Sequence, residues 1–162
     1  MKKVFALFLV AIMMVSLCAC DAVDYKDAKA AYDNGDYKAA REIFENLGDY
    51  EDSADMAEKC LLKEVDELLQ GNWEFESDIF TQTYKFKNGT FTAGLTIANT
   101  SIDNVGDYRI DTDRQEIYVC YDYIISTSGK EPNTEEKLLF TYTYDGSKFV
   151  LKDSRDNILS KI

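Results

Sequence analysis

The stretch GNWEFESDIFTQTYKFKNGTFTAGLTI, residues 71–97, is where the period of the chain changes. Before it, alanines and leucines recur at helical spacing. Within it, residue types alternate. Tyr84 and Phe86 alternate with Thr83, Lys85 and Lys87. Phe91, Ala93, Leu95 and Ile97 share one face, with Thr90, Thr92 and Thr96 on the other. A period of two marks antiparallel strands with one wet face. Asn88-Gly89 between the two runs is a strong short hairpin signal.

The alternation continues to the end of the chain. Tyr108 and Ile110 alternate with Asp107 and Arg109, and Leu138, Phe140, Tyr142 and Tyr144 alternate with Leu139, Thr141 and Thr143. Asp111-Thr112-Asp113-Arg114 and Asp145-Gly146 read as turns between strands. About seven or eight short strands fit into residues 71–162, joined mostly by tight turns. That pattern predicts an up-and-down meander, which removes its exposed edges by closing into a barrel. The inferred inner face carries Trp73, Phe75, Tyr84, Phe86, Phe91, Leu95, Tyr108, Ile110, Ile117, Val119, Tyr121, Leu138, Phe140, Tyr142, Tyr144, Phe149 and Leu151. An eight-stranded barrel is just wide enough to be filled by side chains or to hold one small ligand. Two interiors are therefore open: a solid aromatic core, or a shallow cavity with tyrosine hydroxyls at its mouth. Buried tyrosines need partners for those hydroxyls. Tyr84, Tyr108, Tyr121 and Tyr142 are the candidate ligand-binding residues of the second case.

The half before Gly71 punctuates itself with glycine followed by aspartate. The pattern predicts a helix over about Asp24–Asn34, a second over Tyr37–Leu47 and a third from about Ser53 to Gln70. Gly35 and Gly48 can end helices by entering the left-handed region without penalty. Asp36 can cap the second helix, and Ser53 or Asp52 the third, by accepting hydrogen bonds from unpaired amides. Asp49, Glu51, Asp52 and Asp55 crowd this junction. They lack the alternating ligand positions, central glycine and closing glutamate of a calcium loop, so they read as turn and cap residues.

Ala28, Ala30, Tyr32, Gly35, Asp36, Tyr37, Ala40 and Phe44 resemble the signature of one tetratricopeptide repeat. Gly48-Asp49-Tyr50-Glu51-Asp52-Ser53 resembles a variant repeat junction of bacterial surface proteins. Leu47 stands where that signature has a small residue, and the terminal proline is missing. The resemblance covers about 45 residues, roughly one and a half repeats. About three are needed for a stable solenoid, so the long peptide groove of such proteins is not expected. The segment reads as a packed neighbour of the strands or as a spacer.

Gly71-Asn72-Trp73, placed just before the first strand of a meander, resembles the lipocalin-like (calycin) group. That resemblance implies a small apolar ligand inside the barrel. It also implies that Trp73 plugs the closed end under an arginine near the last strand, for which Arg155 is the candidate. The stretch is shorter than a typical lipocalin, which argues for shorter strands and a shallower cup.

The first 19 residues read as an export signal. Lys2 and Lys3 precede an apolar run of 14 residues, Val4–Leu17, too short to span roughly 30 Å of hydrocarbon. Leu17-Cys18-Ala19-Cys20 resembles the bacterial lipobox, which makes Cys20 the lipidated N-terminus; an ordinary secretory cut after Ala19 is the alternative. One acyl chain anchors only marginally, whereas the two of a diacylglyceryl group hold firmly. The expected place is the extracytoplasmic face of a bacterial cell membrane, reached through lipid on Cys20.

Loss of Lys2 and Lys3 leaves 16 basic residues against 30 acidic, a net charge of −14. Nucleic acid and anionic lipid head groups are therefore not expected partners, since binding either needs clustered Lys and Arg to neutralise phosphate. The chain contains no histidine, which removes the commonest general base and zinc ligand and every Ser-His or Cys-His pair. Ser128-Gly129-Lys130 lacks the earlier glycine and the following Ser or Thr of a phosphate-binding loop. Asp111, Asp113 and Glu116 crowd a hairpin and read as a solvated turn. Cys60 and Cys120 read as free buried thiols, with a bridge between them as the alternative. No catalytic residue, cofactor or metal is expected.

The reading is an α+β chain in two segments. Residues 1–19 are the signal, residues 20–70 a three-helix tetratricopeptide-like segment, and residues 71–162 an antiparallel up-and-down β-barrel. Two functions remain: a lipid-anchored binding protein holding a small apolar ligand, or a non-enzymatic surface module with a solid barrel that docks a protein partner.

Overall fold

The computed structural model describes residues 20–97, 100–126 and 129–162. The export signal proposed for residues 1–19 lies outside the described residues, and Cys20 is the first described one, exposed at the start of a helix. The chain has three helices followed by an antiparallel up-and-down barrel. It divides into two compact units, one ending at Glu64 and one spanning Val65–Ile162.

The helical unit contains helix α1 over residues 20–33, α2 over Tyr37–Leu47, and the greater part of α3, Ser53–Leu69. Gly35 (φ 82°) and Gly48 (φ 57°) turn the chain between them. Asp36 caps α2, its carboxylate accepting from Ala39 N at 3.2 Å. The start of α3 departs from the expected side-chain cap. Asp52 instead accepts the Tyr25 hydroxyl, and the Ser53 hydroxyl is buried with no partner. The core is small: Ala28, Ala40, Phe44, Met56, Ala57 and Cys60 are buried together. The alanines let the helices approach, and the aromatics wrap them, with the Tyr25 ring edge-on to Phe44 and Tyr32 edge-on to Tyr37.

Arg41 makes two ion pairs in this unit, an exposed one with Glu45 at 2.8 Å and a part-buried one with Glu64. Arg41 Nε donates to Glu64 Oε1 at 2.6 Å and Nη2 to Oε2 at 3.3 Å. Glu64 is only 6% exposed. Such a pair need not outperform apolar packing, but breaking one side leaves a buried charge.

The second unit begins inside α3, whose last turns contribute the fully buried Val65 and Leu69. The strands are β1 (Gly71–Glu76), β2 (Phe80–Lys87), β3 (Thr90–Ile97), β4 (Thr100–Asp111), β5 (Glu116–Tyr121), β6 (Tyr123–Ser126), β7 (Gly129–Pro132), β8 (Lys137–Tyr144), β9 (Phe149–Asp153) and β10 (Ser160–Lys161). Eight of them form one antiparallel sheet in the order β10-β1-β2-β3-β4-β5-β8-β9, while β6 and β7 pair as a separate ribbon. Lys87 pairs with Thr90 across Asn88 and Gly89, both at positive φ, which is the two-residue hairpin anticipated from the sequence.

The last residues close the barrel. Ile158 bridges Lys152, and Leu159 N donates to Leu151 O at 2.9 Å, which ties this segment to β9. Two residues later Ser160 and Lys161 pair with Glu74 and Trp73 of β1, and Ile162 N reaches Asn72 O at 3.0 Å. A single short segment is thus the seam between the two ends of the sheet.

The β4–β5 crossing depends on a glycine. At Gly106 any added Cβ would run into the backbone of Cys120 and Tyr121. The β5–β8 register shifts at Ile117/Tyr118. This bulge corrects the inner-face reading at one position: Phe140 and Tyr142 are buried as alternation requires, but Leu138 is 43% exposed. The extra residue breaks the period of two.

Two stability outcomes are expected. Leu159→Ala, at a residue 4% exposed in the seam, should cost about 2–5 kcal/mol in urea unfolding of the second unit, whereas Ile162→Ala, at 63% exposure, should stay within about 0.5 kcal/mol. In the helical unit, Arg41→Ala should cost roughly 3 kcal/mol by removing the guanidinium paired with the buried Glu64, and the double replacement Arg41→Met with Glu64→Leu should recover part of it.

Candidate functional site

The four tyrosines singled out from the sequence have different partners, and Tyr84, Tyr108 and Tyr121 each touch the Phe86–Phe91 ring pair. Tyr108, on β4, faces the end of the barrel where α3 enters. Its hydroxyl donates to Asp66 Oδ1 at 2.6 Å and accepts from Gln70 Nε2 at 2.7 Å and Gly89 N at 3.3 Å. Gln70 also accepts from Asn88 N at 2.8 Å. The last turn of the helix is therefore stitched to the β2–β3 hairpin through one phenol. Burial, and then the bond to Asp66, push this hydroxyl up to about 12.

Tyr142 is 4% exposed on β8 and stacks on Phe149 at 5.5 Å. Burial pushes it up to about 12, with Asp111 and Asp113 adding to the effect. Tyr84 and Tyr121 are each in ring contact with Phe91. Tyr84 is 3% exposed. Burial raises its pKa strongly, the charges of Asp153 and Tyr121 raise it further, and Arg155 opposes them. Burial raises Tyr121 as well.

A cluster of rings lies among these groups. Phe86, Phe91 and Phe140 are at most 1% exposed. Their centroids lie 5.1 to 5.7 Å apart, and Tyr84 meets Phe140 edge-on at 4.8 Å. These are the separations and tilts that aromatic pairs prefer.

Trp73 sits at the helix-bearing end, 5% exposed, its Nε1 donating to Leu69 O at 2.8 Å and its ring against Phe149. The cation over it is not Arg155. Lys161 Nζ lies 5.3 Å from the ring centroid and donates to Leu68 O at 2.8 Å. Lys161 can do this because it pairs with Trp73 across β10 and β1 and so shares its face. Arg155 is committed elsewhere: Nη2 donates to Gln82 Oε1 at 3.2 Å, and its amide to Asp153.

Asp153 had no distinguishing sequence context. It is 4% exposed, and its carboxylate accepts from the amides of Arg155 and Asn157 and from Asn157 Nδ2, all at 2.9 Å. It shapes the turn that returns the chain to the seam.

The cysteines Cys20, Cys60 and Cys120 are all free. Burial pushes the Cys60 thiol up to about 11, which makes it a poor nucleophile at neutral pH. Among the described residues no three of Cys, Asp and Glu gather so as to hold a metal ion. Ser128 lies outside the described residues, and Gly129 and Lys130 open β7. No protein-family model, curated protein or solved structure matches this chain.

An alkaline transition is expected from the phenols. Unfolded tyrosine ionises near 10, below the folded values of Tyr108 and Tyr142. The stability they supply is complete below pH 10 and falls away as pH rises through 12. Urea midpoints measured from pH 8 to 12 should decline above pH 10, and Tyr142→Phe should shallow that decline. A flat profile in the parent protein would contradict the burial of these hydroxyls.

Proposed function

We infer that the chain is a lipid-anchored extracytoplasmic protein, held through Cys20, that acts without catalysis by docking a protein partner on its outer surface. The observation that supports this reading is the ring cluster inside the barrel: Phe86, Phe91 and Phe140 are buried and pack at centroid distances of 5.1 to 5.7 Å where a ligand inside the barrel would sit. The anchor rests on the sequence Leu17-Cys18-Ala19-Cys20, and Cys20 is exposed. Among the described residues no helix is long and apolar enough to cross a membrane.

A second reading, a small apolar ligand contacting Tyr84 and Tyr121, is favoured by one observation. Neither hydroxyl makes a hydrogen bond among the described residues, and neither oxygen is among the fully buried atoms without a partner, so each keeps some accessible surface. A phenol with an accessible, unbonded hydroxyl suits a ligand that brings its own polar atom.

Titration of the detergent-purified full chain with an environment-sensitive apolar fluorophore separates the two. No saturable emission gain is expected. A one-site gain lost in Tyr84→Phe with Tyr121→Phe would replace the first reading by the second. The anchor has its own check: growth with an alkyne fatty acid should label the chain, and Cys20→Ala should abolish the label.

A further inference from the structure

Lys85 and Lys87 stand two residues apart on β2, on the face opposite the buried Tyr84 and Phe86. Their side chains therefore project outward side by side, about 7 Å apart along the strand. In register across from them on β3 are Thr92 and Thr90. With Asn88 from the hairpin turn, these residues line an open depression of about 380 Å³, within the size range of small-molecule sites.

The lining chemistry is one-sided. Two ammonium groups, two hydroxyls and a carboxamide offer donors, and no carboxylate is among the lining residues. Neither lysine joins an ion pair or hydrogen bond among the described residues. This occurs on a chain with 30 acidic residues against 18 basic, where acidic partners for a lysine are plentiful. Neighbouring like charges repel, so two unpaired ammoniums held together by strand geometry form a local positive site on an acidic surface. Asp107, opposite Thr90 on β4, bounds it on one side. Lysine binds phosphate as a point charge, and the threonine hydroxyls and the Asn88 carboxamide supply further donors around a tetrahedral oxyanion.

We propose that the depression on β2 and β3 binds a compact phosphoryl group, held between the Lys85 and Lys87 ammoniums and the Thr90 and Thr92 hydroxyls. The group belongs either to a soluble phosphate ester or to the head group of an anionic lipid. The negative charge of the whole chain opposes the approach of any anion, so the affinity is weak, with a dissociation constant on the order of 1 mM. Added salt weakens it further, because the contacts are exposed. The inference is independent of the barrel interior, since every residue it uses lies on the outer face or in the hairpin.

The test reads threonine methyl signals of the full chain in zwitterionic detergent during titration with inorganic phosphate, with ionic strength held constant by chloride. Saturable shifts at Thr90 and Thr92 are expected, weakened at least tenfold in Lys85→Gln with Lys87→Gln while other methyl signals stay in place. The same signals are then compared in nanodiscs of phosphatidylcholine and of phosphatidylglycerol. A response to soluble phosphate supports the site and assigns it a soluble ester; a response confined to phosphatidylglycerol supports it and assigns a lipid head group. No saturable shift in either arm, or shifts undiminished in the double variant, would overturn the proposal.

Discussion

The barrel depends on the seam made by residues 157–162. Without it the sheet would have two open edges, β9 and β1, each with unpaired amides and carbonyls. With it, the segment bonds first to β9 through Leu159 and then to β1 through Lys161 and Ile162. Closure is cooperative with burial. Leu159 is driven inward by its apolar side chain, and that places Lys161 over Trp73 and within reach of the last carbonyls of α3. Asp153 prepares the turn by accepting three hydrogen bonds within it.

The aromatic interior follows from closure at this strand number. A sheet this narrow brings opposite walls within ring contact, and Phe86, Phe91 and Phe140 meet across it. Chemistry is thereby displaced to the outside. There the alternation that sends phenylalanine and tyrosine inward sends lysine and threonine outward, and the same two-residue period builds both the core and the cationic depression on β2 and β3.

The helical unit is held by a different logic. Glycines at positive φ release each helix, and small alanines let the next pack closely. The Arg41–Glu64 pair is oriented by two hydrogen bonds rather than by hydrophobic contact. With so few large side chains in its core, this unit has more to lose from one unpaired charge than a larger domain would.

Much of this was legible from residue order alone. Period, turn chemistry and glycine-aspartate punctuation are local properties, so the three helices, the Asn88-Gly89 hairpin and the antiparallel barrel could be anticipated from neighbours a few positions apart. Long-range facts could not. The exposure of Leu138 follows from a bulge in the pairing of β5 with β8, which no property of β8 by itself reveals. The partners of the four tyrosines, the bonding of Tyr108 to Asp66 and Gln70, and the choice of Lys161 rather than Arg155 over Trp73 depend on which strands meet and in what register. Away from the β5–β8 bulge, the sequence by itself determined which side chains face inward and where the chain turns, because those follow from backbone geometry over a few residues. Only the tertiary structure decided which of those side chains touch, because that is set by closure between residues 72 and 162, at opposite ends of the second unit.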